Sequence, residues 1–161
     1  MDKNEVYAYL NEKEIKYEVT EHKAVYTMEE LREVELPYPE ADAKNVFVRD
    51  DKKKNYYLIT LKADKRVDLK RFRQEYKTRP LSFVSEKDLR KIIDLIPGAF
   101  GPLGVLSDEE CRVECFIDEE FVQGGRIGVH PNDNTATVWL KTEDLIKLIE
   151  EHGNKVRIVR F

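Results

Sequence analysis

At 161 residues, 41% of them apolar, the chain is long enough to bury a real core. No apolar run approaches the ~18 residues that span a bilayer, and Met1-Asp2-Lys3-Asn4-Glu5 lacks the basic and apolar regions of a secretory signal. The expectation is therefore one domain over residues 1–161, with no membrane partner and a cytoplasmic location. The net charge of −4 hides an asymmetry: residues 44–91 carry 16 Lys and Arg against 7 Asp and Glu, while the rest carries 12 against 25. A basic stretch in an acidic protein fits either a solvated lysine-rich surface or a local anionic partner, with nucleic acid foremost.

The first predicted element is a helix opened by Asp2 and Glu5 in a capping-box arrangement, with Val6, Tyr9 and Leu10 on its apolar face. A short strand with Tyr17 and Val19 follows, then His22-Lys23-Ala24-Val25-Tyr26. A second capping box, Thr27 with Glu30, starts a short helix containing Met28 and Leu31. Pro37-Tyr38-Pro39 ends that segment, because residues before proline are pushed toward extended geometry. Residues 44–49 and 56–61 are β-rich runs around a charged turn and read as a hairpin. The second run is almost wholly apolar, which predicts a central strand covered on both faces.

A helix is expected over 67–76, with Leu69, Phe72 and Tyr76 inward and Lys70, Arg71 and Arg73 outward. Arg79-Pro80-Leu81-Ser82-Phe83-Val84 returns as a strand, and Ser85 with Asp88 caps a helix that buries Leu89, Ile92, Ile93 and Ile96. Further strands are expected near 103–106, 111–117, 126–129 and 135–140. Alternation in the second of these puts Cys111, Val113, Cys115 and Ile117 on one core-facing side. With three histidines in the chain, buried thiols are favoured over a metal site. Thr142 caps the last long helix, Gly153 stops it, and 155–161 closes as a strand. Helices interspersed with mostly hairpin-linked strands predict an α+β fold around a single mixed, curved sheet.

Three features point to polar work. Pro97-Gly98-Ala99-Phe100-Gly101-Pro102-Leu103-Gly104 has five Gly or Pro in eight residues, making a loop both stiff and bare enough for a ligand to approach main-chain N–H groups. Lys44 opens a strand beside Asn45, where it could project into a cleft or simply into solvent. Val129-His130-Pro131-Asn132-Asp133-Asn134-Thr135 joins two strands through a polar loop in which His130 is either functional or idle. Serine-hydrolase, phosphate-loop and zinc-protease patterns are absent.

In order, Lys44-Asn45-Val46-Phe47-Val48-Arg49-Asp50, Tyr56-Tyr57-Leu58, Arg79-Pro80-Leu81-Ser82-Phe83, Gly98-x-x-x-Pro102 and His130-Pro131 with Asn134-Thr135-Ala136-Thr137 resemble the YbaK family of aminoacyl-tRNA editing domains. Within that family the chain looks most like the free-standing prolyl-tRNA deacylases, from His22 to the last helix. The resemblance implies hydrolysis of alanine wrongly esterified to proline tRNA, with no metal or cofactor. A synthetase pocket shaped for proline rejects a smaller residue only through missing contacts, about 1–3 kcal/mol per methylene, so a second, smaller site supplies the remaining discrimination.

By the same resemblance Lys44 holds the 3′-terminal adenosine or its phosphate, and Gly98 to Gly101 turn N–H groups toward the aminoacyl carbonyl. His130 and Asn134 place the amino acid or the attacking water. Met28, Leu31, Asn45, Ala99, Phe100 and Pro102 wall the pocket, and Arg79 contacts the acceptor stem. Pro80 after Arg79 departs from many relatives and could shift that arginine. The implied partners are the acceptor end of tRNA(Pro) and prolyl-tRNA synthetase, with the chain a monomer. Two alternatives stay open: another specificity such as Cys-tRNA(Pro), and a tRNA-binding or synthetase-associated module without turnover.

Overall fold

The computed structural model describes residues 1–24, 29 and 35–161. Helix α1 (Lys3–Glu12) starts at the expected capping box: Glu5 N–H donates to Asp2, and Glu5 reaches back to the Asp2 N–H. Val6 and Leu10 are buried beneath it. Strand β1 (Tyr17–Glu21) follows. The second capping box, Thr27 with Glu30, and the pocket residues Met28 and Leu31 lie outside the described residues.

A 3-10 turn at Pro39–Ala41 leads into the hairpin of β2 (Ala43–Asp50) and β3 (Tyr56–Lys62). Asp50 closes its loop by accepting from Lys54 N–H and from the Asn55 amide. Helix α2 (Leu69–Tyr76) is capped by Asp68, and β4 (Leu81–Phe83) pairs with β2. Helix α3 (Glu86–Ile93) is capped by Ser85 through the Asp88 N–H. After a 3-10 segment at Pro102–Ser107 come β5 (Val113–Asp118), α4 (Glu119–Gly124) and β6 (Arg126–Val129). Strand β7 (Ala136–Lys141), α5 (Thr142–His152) and β8 (Val156–Val159) complete the order.

The class is α+β with a mixed sheet flanked by helices. Strands run in the order β4-β2-β3-β5-β8, with the β3–β5 and β5–β8 pairs parallel and the others antiparallel. A second, antiparallel sheet, β1-β7-β6, adjoins it through one isolated parallel bridge, Asp42 to Gly128. Strand β3 is central and buried on both faces, as its apolar run requires. One face carries Phe47, Leu58, Cys115 and Ile117 against α1, α3 and α5. The other carries Val48, Ile59, Leu61 and Phe116 beneath α2, whose Phe72 ring stands 4.8 Å from Phe116.

Four local expectations are corrected. Residues 103–106 form the 3-10 segment, not a strand: Gly104 N–H donates to Gly101, and a Cβ on Gly104 would stand 2.8 Å from Leu95 Cδ1. Asp94 ends α3 in a left-handed conformation, so Leu95 turns inward and Ile96 stays 39% exposed. Cys111 precedes β5 with φ 51°, its thiol against the end of α5, while Cys115 is buried and its thiol is pushed up to about 12. Thr142 lies inside α5, where its hydroxyl donates to the Phe121 carbonyl at 2.7 Å, tying α4 to α5 instead of capping.

Candidate active site

The start of β2 faces two ways. Asn45 and Phe47 point to the side that carries α1, α3 and α5, whereas Lys44 alternates with Val46 and Val48 on the α2 side and pairs with Leu61. The Asn45 amide oxygen accepts from Thr60 Oγ1 at 2.7 Å, which fixes that side chain across the hairpin. This leaves its Nδ2 turned toward the glycine-rich loop: a Cβ on Gly101 would stand 3.4 Å from it. Phe100 packs on Phe47 with ring centroids 6.2 Å apart, and Ala99 and Pro102 are buried. Gly98 holds φ 87°, a conformation strained for any residue with a side chain.

The main-chain donors of this loop are unequally committed. Ala99 N–H donates to Ile96 O at 3.2 Å; among the described residues no main-chain acceptor takes the N–H groups of Gly98, Phe100 or Gly101. The 3-10 segment then brings Gly104 beside Asn132, whose Oδ1 would be 3.8 Å from an added Cβ. The loop therefore spans from Asn45 to the loop after β6.

His130 begins that second loop. Its Nδ1 lies 3.1 Å from the Ala136 carbonyl, which can only accept, so Nδ1 carries the proton and Nε2 keeps its lone pair. Burial holds the imidazole below its ordinary value, and nearby His22 pushes the same way. Asn134 is buried, and its Nδ2 has no partner among the described residues; the same holds for Asn132 Oδ1. Asp133 accepts from the Thr135 N–H at 2.8 Å and from its hydroxyl, closing the turn.

The Asp42–Gly128 bridge relates Lys44 to His130. It is parallel, so Lys44 lies two residues beyond it in β2 and His130 two residues beyond it at the start of the loop after β6. Partial burial depresses the Lys44 ammonium, Arg66 adds to that effect, and Asp64 opposes it. Asn45, the 98–102 loop and the loop after β6 thus lie together near the junction of the two strand sets, whereas Lys44 stands on the opposite, α2 face of β2.

Arg79 does not join them. Its guanidinium makes a bidentate pair with Asp51, at 2.6 and 3.0 Å, at the hairpin tip. That is the other end of β2 from Lys44, roughly 20 Å away for seven strand residues. His22 was not among the predicted site residues. Its Nδ1 lies 2.8 Å from Lys23 O and its Nε2 3.1 Å from Thr137 Oγ1, which sets it near His130. Only the β1–β7 pairing brings it there, and no local pattern in the sequence announces that pairing. Among the described residues no three His, Cys, Asp or Glu side chains come together to hold a metal ion. None of the described helices is long and apolar enough to cross a membrane.

Residues 22–148 match the family model for the aminoacyl-tRNA editing domain. The chain belongs to that family. It is 40% identical over 159 residues to the prolyl-tRNA editing protein ProX of Acetoanaerobium sticklandii, covering 99% of this chain and 97% of that one. It is 30% identical over 151 residues to the prolyl-tRNA synthetase associated domain-containing protein 1 of Mus musculus, covering 91% and 89%. A solved structure described as a candidate trans-editing enzyme for prolyl tRNA synthetase superposes with a TM-score of 0.71 at 17% identity, over 99% of this chain and 96% of that one, and shares the fold. The matched span in this editing domain runs from His22 through both loops into α5.

Proposed function

We propose that this protein is a trans-acting deacylase that hydrolyses Ala-tRNA(Pro), releasing alanine and tRNA with its terminal hydroxyl restored. The observation that carries this reading is the gathering of uncommitted main-chain donors at Gly98, Phe100 and Gly101, with Asn45 on one side and the His130–Asn134 loop on the other. The chain's likeness to a prolyl-tRNA editing protein across nearly its whole length supports the choice of tRNA.

In this reading water attacks the ester carbonyl carbon, and the charge that develops on the carbonyl oxygen is met by those N–H groups. Oriented donors in a dry site can be worth about 2.7–4 kcal/mol each in such a step, enough to matter without a metal. The bond from carbonyl carbon to ribose oxygen then breaks, and that oxygen leaves with a proton. His130, neutral near pH 7, presents Nε2 as an acceptor for the attacking water or the substrate ammonium. Lys44, on the other face of β2, holds the terminal phosphate or adenosine as a point charge. Specificity comes from room: buried Ala99 and Pro102 and half-buried Phe100 leave space for a methyl side chain and crowd a pyrrolidine.

The test is deacylation of Ala-, Cys- and Pro-tRNA(Pro) by wild-type protein and Lys44→Ala. Wild type is expected to clear the alanyl ester fastest, and Lys44→Ala to lose most of that activity. Clearance of the cysteinyl ester alone would overturn the substrate. No turnover with any of the three would make the protein a binding module.

A further inference from the structure

The β1-β7-β6 sheet carries a polar row in which only His130 has been given a part. Thr20 of β1 pairs with Thr137 of β7, and Trp139 Nε1 donates to Thr20 Oγ1 at 2.9 Å, so these side chains share one face. Gly128 sits opposite Trp139 on that face. Carried one residue past the Val129–Val138 pair, the β6–β7 register sets His130 opposite Thr137. Facing Cβ atoms in such pairs stand about 4.5–5.5 Å apart. On the other side His22 prolongs β1, its N–H donating to Thr135 O at 2.9 Å. Thr137 is therefore flanked by two imidazoles.

Backbone carbonyls assign the ring protons. His22 Nδ1 lies 2.8 Å from Lys23 O and His130 Nδ1 3.1 Å from Ala136 O, so each neutral ring carries its proton there and offers Nε2 as an acceptor. His22 Nε2 is 3.1 Å from Thr137 Oγ1, so the threonine hydroxyl is the donor. Its proton points toward β1, which leaves the oxygen lone pairs on the side of β6 and His130. Thr137 is buried, and among the described residues no other group takes its oxygen or His130 Nε2. The corner thus has two acceptors and no donor.

We infer that Thr137 Oγ1 and His130 Nε2 hold the attacking water by its two hydrogens, and that His22 is a positioning residue that keeps the Thr137 hydroxyl turned to accept. This rests on the proposed deacylase reading and adds Thr137 and His22 to it. A water held in this way keeps a lone pair for the ester carbon. As its oxygen bonds to that carbon, one proton passes to His130 Nε2 and then to the ribose oxygen that leaves; Thr137 keeps its own. The substrate ammonium is the other donor such a corner could take. Water is favoured because a buried cation needs a counter-charge, and the neighbouring Asp133 carboxylate is already closed on Thr135. Without His22 the Thr137 hydroxyl would turn to His130 and fill the lone pair that the water needs.

The test measures kcat and KM on Ala-tRNA(Pro), with melting temperature, for Thr137→Val, Thr137→Ser, His22→Phe and the double variant of His22→Phe with Thr137→Val. Thr20→Val, from the same face, is the control. Thr137→Val is expected to lower kcat about 10- to 100-fold with KM little changed. Thr137→Ser keeps a hydroxyl and should recover most of that loss, whereas Thr20→Val should lose stability and keep kcat. His22→Phe should lower kcat by itself, yet cost nothing further beside Thr137→Val, because it acts through the hydroxyl already removed.

A wild-type kcat in Thr137→Val, a loss that falls on KM, or an equal loss in Thr137→Ser would overturn the inference. So would losses that multiply in the double variant, which would make His22 an independent contact or a packing residue. Should Thr137→Val fail to fold, His22→Phe decides: a lowered kcat at unchanged KM supports the water site, and a wild-type kcat overturns it. Variants that all turn over at the wild-type rate would remove the water site and leave the deacylase standing. A wild type that hydrolyses no aminoacyl-tRNA would remove both.

Discussion

Asp42 and Gly128 pair once, in parallel, and that single bridge ties the turn before β2 to β6, two residues ahead of Lys44 on one side and of His130 on the other. Gly128 is bare because Trp139 of the neighbouring β7 fills the space: an added Cβ would lie 2.3 to 2.9 Å from three atoms of its ring. Trp139 is buried, covered by Tyr38 edge-on at 5.6 Å, with Arg126 over the Tyr38 ring at 3.7 Å. Gly128→Ala is expected to destabilise the protein by about 2–3 kcal/mol through overpacking. As Trp139 is the one tryptophan in the chain, its fluorescence reports the displacement directly. An unshifted emission with wild-type stability would contradict this packing.

Asp42 also carries a pH signature. The carboxyl is buried beside the bridge, and burial pushes it up to about 6 from an ordinary value of 3.8. The folded state therefore binds the proton more tightly than the unfolded state, and stability falls as pH rises from about 4 to 6. Above that window the full penalty of a buried carboxylate is present. Asp42→Asn is expected to raise the melting temperature by several degrees at pH 8, for a gain on the order of 2 kcal/mol, and to change little at pH 4. Melting curves at the two pH values check both halves of the statement.

His130 is held below its ordinary value mainly by burial, so the ring stays neutral through pH 6.5 and charges only in more acid solution. If its Nε2 acts as an acceptor, the acidic limb of kcat/KM lies below pH 6.5 and disappears in His130→Gln along with most of the activity. A pH–rate profile on alanyl-tRNA measures this. A limb above pH 7 would assign the titration to another group.

Asn45→Ala removes the acceptor of the Thr60 hydroxyl and the neighbour of Gly101 in one step. The lost hydrogen bond costs about 1 kcal/mol of stability. The larger effect is expected on kcat, roughly 10- to 100-fold, because the 98–102 loop loses the side chain against which its donors are set. Equal kcat with reduced stability would make Asn45 a packing residue only.

Much of the fold was legible because local rules and burial agreed. The Asp2–Glu5 box, the Ser85 cap, the Gly153 stop at φ 118° and the hairpin around 50–55 lie where the residues ask for them. The 103–106 segment misleads because a short apolar run looks the same in a buried strand and a buried turn, and only the approach of Leu95 to Gly104 decides between them. Thr142 and Ile96 show a similar limit. One side chain was drawn away by the Phe121 carbonyl, and the other was left outside by a left-handed Asp94.

Within the candidate site, Lys44, Asn45, the glycine loop and His130 could be picked out by residue type and order. Strand alternation by itself sets Lys44 and Asn45 on opposite faces of β2; what the sequence could not show is that the Asn45 face meets the glycine loop, or that Arg79 sits on the Asp51 side of the hairpin. Both depend on strand register and hairpin length rather than on any motif.

The most direct measurement is the initial rate of deacylation of Ala-tRNA(Pro) beside Pro-tRNA(Pro) at equal concentration, with enzyme limiting. The proposed chamber walled by Ala99, Phe100 and Pro102 predicts rapid release of alanine and a prolyl ester that survives at its spontaneous rate. Equal hydrolysis of the two esters would show that size does not select the substrate, and would contradict the account.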